Sequence, residues 1–165
     1  MTIRRLIYAK FLVLTAMWWG WTVLVDIFVI PTVFRTIDIF FKAGDLGIAV
    51  FSKLNNLEVF VSSILVALLA YQVTKNKKAL PLLVMSIVAW LIAMTYFAFL
   101  TPKLTHVTEL WKTADLMGLT GVAEYPDLQQ AHQFYHKLYI GTDVFKLVLL
   151  TVMLGYGIWK EEEWR

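Results

Sequence analysis

The chain has 165 residues, 59% of them hydrophobic and 16% charged, with a formal net charge of +3 and a mean hydropathy of +0.67. A typical soluble domain is about 45–50% apolar and about 25% charged, and one core of this size cannot hide so many apolar side chains. The composition argues against a water-soluble enzyme, a nucleic-acid binder or a disordered linker, and implies one integral membrane domain over residues 1–165. The absence of cysteine removes disulfides, thiolate metal sites and cysteine nucleophiles together.

A membrane-crossing helix needs about 20 mostly apolar residues. Four stretches qualify, over residues 11–34, 47–73, 79–100 and 137–159. The first follows Arg4 and Arg5, as a basic leader would. Its apolar run is too long for a cleaved signal and no small-x-small site follows, so it reads as a retained helix. Pro81 fits the first turn of the third helix, where its missing N–H costs nothing, and Pro102 is expected to close that helix. Thr74–Lys78 reads as a tight hairpin between spans two and three.

The connection 101–136 carries Leu104, Val107, Leu110, Trp111, Ala114 and Met117 at helical spacing. That pattern predicts a short amphipathic helix lying on the membrane surface. Gly118, Gly121 and Pro126 are expected to loosen the chain ahead of the last span. The fold class that follows is all-α, a four-helix transmembrane bundle with this surface helix between helices 3 and 4.

Four spans put both termini on one side. That side holds eight Lys and Arg residues (Arg4, Arg5, Lys10, Lys75, Lys77, Lys78, Lys160 and Arg165), against six spread over longer loops opposite. The positive-inside rule then places both termini in the cytoplasm, and the expected location is a bacterial inner membrane.

Polar residues recur on one face of each span. In the fourth, His132, His136, Tyr139, Asp143 and Lys146 are spaced by 4, 3, 4 and 3, and the same face turns apolar at Leu150 and Met153. Thr15, Trp19, Thr22 and Asp26 repeat the rhythm in the first span. The second offers Asn55, Glu58 and Ser62, and the third Ser86, Ala89, Ala93 and Tyr96. A lipid-facing charge is expensive, so these faces are expected to turn inward. At about 1.5 Å per residue, the ionisable groups fall at a similar depth.

The expected buried polar cluster is Asp26, Glu58, Asp143, Lys146, Tyr139 and Asn55. Three carboxyls and one amine do not neutralise one another, so the excess acids must be protonated, hydrated or matched by a cation. Two readings stay open. Polar side chains can hold a bundle together by hydrogen bonds alone, and intramembrane ionisable groups can mark an ion or proton pathway. His132 and His136 at i, i+4 are a candidate metal pair, with His106 a third ligand from the surface helix. No nucleotide-binding glycine pattern, serine elbow or His-Glu-x-x-His arrangement is present, so no enzymatic activity and no catalytic residue are expected.

The first helix with Trp19-Gly20 and Phe34-Arg35, then Gly44, Gly47 and Phe51 leading into the second span, resembles the transmembrane-protein-205-like family, also called domain of unknown function 4149. Phe134-Tyr135-His136 at the return into the last helix fits it as well. The resemblance implies a four-helix membrane protein. Where that family tends to carry an asparagine in the last helix, this chain has Asp143.

The leading expectation is a small non-enzymatic membrane protein, either self-associating or an accessory subunit of a membrane complex. Its partners would be the lipid bilayer and other membrane subunits or itself, with no nucleic acid and no cofactor. The alternative is an ion, proton or small-solute transporter using the buried carboxylate cluster. A metal- or haem-binding role comes third, and haem is disfavoured because the first helix has no histidine.

Overall fold

Long apolar runs satisfy their backbone most simply as helices, and in the computed structural model the chain does so almost throughout. The structure describes residues 3–121 and 124–160. The first rod is α1 (Ile3–Val23), a π-helical turn (Leu24–Val29) and α2 (Ile30–Thr36). The second is α3 (Phe40–Lys75). The third is α4 (Leu80–Thr95), a second π-helical turn (Tyr96–Leu100) and α5 (Thr101–Leu116). The fourth is α6 (Glu124–Trp159). Each rod packs on the next, and α6 closes on α1. The start of α1, the hairpin at Asn76 and the end of α6 share one end of the bundle, hereafter the terminal end; the connections after α2 and α5 share the loop end.

All four rods are long and apolar enough to cross a membrane. They run past the apolar stretches that announced them. At 36 residues each, α3 and α6 measure about 54 Å, well beyond the roughly 30 Å of a bilayer's hydrocarbon. Helix continues into polar sequence because neighbouring rods still offer packing there.

Pro102 does not close the third helix. It is the second residue of α5, and the backbone stays helical from Leu80 to Leu116. A proline ring crowds the carbonyl four residues earlier, here Ala98, and Ala98 lies inside the widened π turn. Pro31 repeats the arrangement: it is the second residue of α2, and Ile27 lies inside the first π turn. Both turns absorb a proline that would otherwise break the rod.

The expected surface helix is therefore the continuation of the third rod. Its inner face (Leu104, Val107, Thr108, Trp111) packs on α3 and α6, while Leu110 and Met117 stay exposed. Trp111 meets Phe40 and Phe41 edge-on at 5.9 and 5.4 Å, and its ring lies 5.0 Å from that of His132. Lys112 binds Asp45 at 2.7 Å, and Tyr125 donates to Asp115 at 2.7 Å. Gly118, at φ +71°, supplies the left-handed residue that ends this rod. Pro126 does not loosen the chain; it sits in the first turn of α6, where its fixed φ suits a helix start.

Below the middle, the core is mostly apolar, with Thr15, Ser62, Gln72 and Ser86 buried among its side chains. Phe11, Trp18, Leu65, Leu69, Leu82, Leu150 and Met153 are fully buried, with Ala89 and Ala93 supplying the small surface among them. On α1 the inward indole is Trp18; Trp19, placed inward by the sequence pattern, is exposed and donates to Thr151 at 3.0 Å. The inward series is Phe11, Thr15, Trp18 and Thr22.

At the terminal end α1 and α6 approach closely. Tyr8 donates its hydroxyl to the Gly157 carbonyl. A Cβ on Gly157 would lie 2.8 Å from Leu12 Cδ2 and 3.2 Å from the buried Phe11 ring, whereas Gly155 faces open space. Gly157→Val is expected to cost about 1–3 kcal/mol through overpacking, with Gly155→Ala near neutral. Denaturation of the two variants in detergent checks this.

Candidate functional site

Near the middle of the bundle the polar faces converge. Lys146, 1% exposed, donates to Glu58 Oε1 at 2.6 Å and to Asp143 Oδ1 at 2.5 Å. Asp143 lies three residues before it on the same helix, while Glu58 reaches it from α3. The Lys146 ammonium also lies over the Tyr96 ring, 5.0 Å from its centre. Thr22 Oγ1 on α1 lies 3.2 Å from Glu58 Oε1. Tyr96, in the second π turn, donates to Asp143 Oδ1 at 3.3 Å. The first π turn brings the Asp26 carboxyl beside that of Asp143.

Tyr139 continues the network toward the loop end. Its ring stacks on Tyr96 with centroids 4.5 Å apart, and its hydroxyl donates to Asn55 Oδ1 at 3.0 Å. Asn55 Nδ2 in turn donates to Thr101 Oγ1 at 2.6 Å. All six residues expected in the cluster thus belong to one connected region. Asp26 differs from the other five in being half-buried. Thr22 and Tyr96 belonged to the expected inward faces without being expected in the cluster. Thr101 had no sequence signal, because Pro102 read as the end of the helix.

The cluster has three carboxyls and one ammonium. Lys146 answers Glu58 and Asp143 at once, leaving Asp26 without a cation of its own. Two carboxyls can hydrogen-bond each other only if one carries a proton, since ionised carboxylates are acceptors alone. The adjoining carboxyls of Asp26 and Asp143 are therefore a place where the cluster can hold a proton between two side chains. Glu58 Oε2 and Asp26 Oδ2 are buried with no partner among the described residues, so the region keeps acceptor capacity in reserve.

The two histidines of the candidate metal pair stack with ring centroids 5.8 Å apart, and Trp111 covers one side of His132. His106 lines a separate groove between α3 and α5 and does not join them. Among the described residues no three His, Cys, Asp or Glu side chains are grouped to hold a metal ion. In the carboxyl cluster, the cation between Glu58 and Asp143 is the Lys146 ammonium.

That groove, of about 680 Å³, opens at the loop end between Asp45, Ser52 and Asn56 on one wall and Thr105 and Glu109 on the other. Asn55 and Thr101 form its floor. Comparison with family models, with curated proteins and with solved structures finds no match to this chain.

Removing one member of a buried ion pair leaves an uncompensated charge and typically costs about 3–5 kcal/mol. Lys146→Met should destabilise the bundle by that order. Lys146→Met combined with Glu58→Leu should recover part of the loss, because Asp143 keeps Tyr96 and Asp26 as partners. Denaturation in detergent of the single and double variants measures the coupling.

Proposed function

We propose that this chain is a multi-pass membrane protein of the transport class, with no catalytic machinery, whose working part is the Asp26–Asp143–Lys146–Glu58 cluster taking up and releasing protons. The observation that supports this reading is a third carboxyl, Asp26, placed beside Asp143 while the one lysine is already shared by Glu58 and Asp143. An ionisable group inside a membrane is costly, and such groups characteristically mark proton or ion pathways. The titratable groups at the site are Asp26 from the first rod, Glu58 from α3, Tyr96 from the second π turn, and Tyr139, Asp143 and Lys146 from α6. The rods cross the bilayer in this reading. The denser Lys and Arg at the terminal end put that end in the cytoplasm of a bacterial cell, and kinship with the transmembrane-protein-205-like family is part of the same proposal.

A π-helical turn inside an α-helix frequently accompanies function. Here one such turn carries Asp26 and the other Tyr96, so a small adjustment of either would reposition a partner of Asp143. This gives the cluster a way to change its proton affinity without unpacking the rods.

A second reading, a structural subunit docking to itself or to other membrane chains, draws on the exposed aromatic rings. Phe60, Phe134 and Trp159 are each more than 60% exposed. In that reading the buried cluster is an interhelical clamp.

Reconstitution of the full chain in liposomes loaded with a pH-sensitive dye separates the two. The wild type is expected to carry protons down an imposed pH gradient, and Asp26→Asn and Asp143→Asn to reduce the rate at least tenfold with normal accumulation. No flux from the wild type, together with variants that merely fail to accumulate, would establish the clamp instead.

A further inference from the structure

We propose that the groove between α3 and α5 is the water-filled entrance by which protons reach the carboxyl cluster, and that they reach it from the loop end only. The inference rests on the proton-binding reading above and adds a route and a side to it.

The groove carries a stripe of polar side chains beside the apolar Ile48, Ala49, Phe97 and Pro102. Ser52, Asn56 and Thr105 line its walls and Asp45 and Glu109 its mouth. Lys112 lies 2.7 Å from Asp45 and 3.8 Å from Glu109, so two carboxylates face one ammonium there, and the remaining negative charge favours cations, hydronium included. Asn55 forms part of the groove floor, yet it is 1% exposed and accepts the Tyr139 hydroxyl hydrogen bond. One side chain therefore separates the groove from the network. Beyond it, Tyr139 stacks on Tyr96, whose hydroxyl is bonded to Asp143. Between groove and acid the path meets amide and phenol groups.

The opposite direction is closed. On the terminal side of Glu58 come Ser62 and then Trp18, Leu65, Ala89, Leu150 and Met153, each fully buried. Trp18 is the largest of the completely buried side chains. Thr15, Gln72 and Ser86 are also buried in this half, but Thr15 bonds the Phe11 carbonyl of its own helix and the Gln72 and Ser86 side chains have no hydrogen-bond partner among the described residues, so no hydrogen-bonded chain continues there. In the exchange itself, a hydronium in the groove gives up one proton, a carboxylate of the Asp26–Asp143 pair gains one, and water is left.

The chain contains no cysteine, so each single substitution introduces its only thiol. In sealed membranes of one orientation, Ser52→Cys and Thr105→Cys are expected to react with a membrane-impermeant, positively charged methanethiosulfonate added at the loop side. Lys77→Cys, in the hairpin, should react only from the terminal side. Ser62→Cys and Ser86→Cys should react from neither. Unreactive groove cysteines, or a reactive Ser62→Cys or Ser86→Cys on the terminal side, would overturn the proposal whatever the cluster does with protons.

A second measurement addresses the route. Asn55→Leu should slow proton uptake by the cluster at least tenfold after a pH jump, leaving the final extent unchanged. Asn55→Ser, smaller and still polar, should stay near the wild-type rate. Equal rates in all three would refute passage past Asn55. An absence of uptake in the wild type itself would instead refute the proton-binding reading, and the labelling pattern keeps the two failures apart.

Discussion

A lysine ammonium held between two carboxylates, away from water, constrains everything around it in this bundle. Lys146 bridges Glu58 and Asp143 with almost no solvent exposure. Desolvating these ions is expensive, and their mutual attraction offsets the cost only when geometry and additional hydrogen bonds are good. The surrounding residues supply those bonds: Thr22 to Glu58, Tyr96 to Asp143. Because these groups come from all four rods, satisfying one ion pair sets the relative depth of each helix.

The two π-helical turns fit the same constraint. Each holds a residue that contacts Asp143, and each is followed by a proline that a regular α-helix would not accommodate. Proline and widened turn together displace the register of the first and third rods where their polar residues meet the cluster. Below it, close packing around Trp18 and the α1–α6 approach at Gly157, with its Tyr8 hydrogen bond, hold the bundle. The molecule is thus divided into a mostly apolar half and a half whose interior is polar and whose Asn55 also lines a groove.

Much of this was legible in the sequence. The spacing of Tyr139, Asp143, Lys146, Leu150 and Met153 gives the buried face of the last helix directly, because only a helical repeat brings them into line. Asn55, Glu58 and Ser62, and the series from Ser86 to Tyr96, follow the same logic. What the pattern did not yield was partner choice across helices: that Lys146 would take Glu58 as well as Asp143, or that Thr101 would hold Asn55. The choice between Trp18 and Trp19 also escaped it, since adjacent indoles weigh equally in a hydrophobic pattern and only packing against the other rods decides. The helix ends were misplaced for a similar reason. Hydropathy falls off near Leu100, but the Trp111 contacts with Phe40, Phe41 and His132 keep the backbone helical beyond it.

The proposed function depends on a proton held between Asp26 and Asp143. Infrared spectroscopy of the membrane-reconstituted chain at neutral pH addresses it directly, through the carbonyl stretch of a protonated carboxylic acid. A band that shifts on exchange into heavy water and disappears in Asp26→Asn is the predicted result. A spectrum without such a band, or one that Asp26→Asn leaves unchanged, would contradict the account and reduce the cluster to an ordinary ion pair.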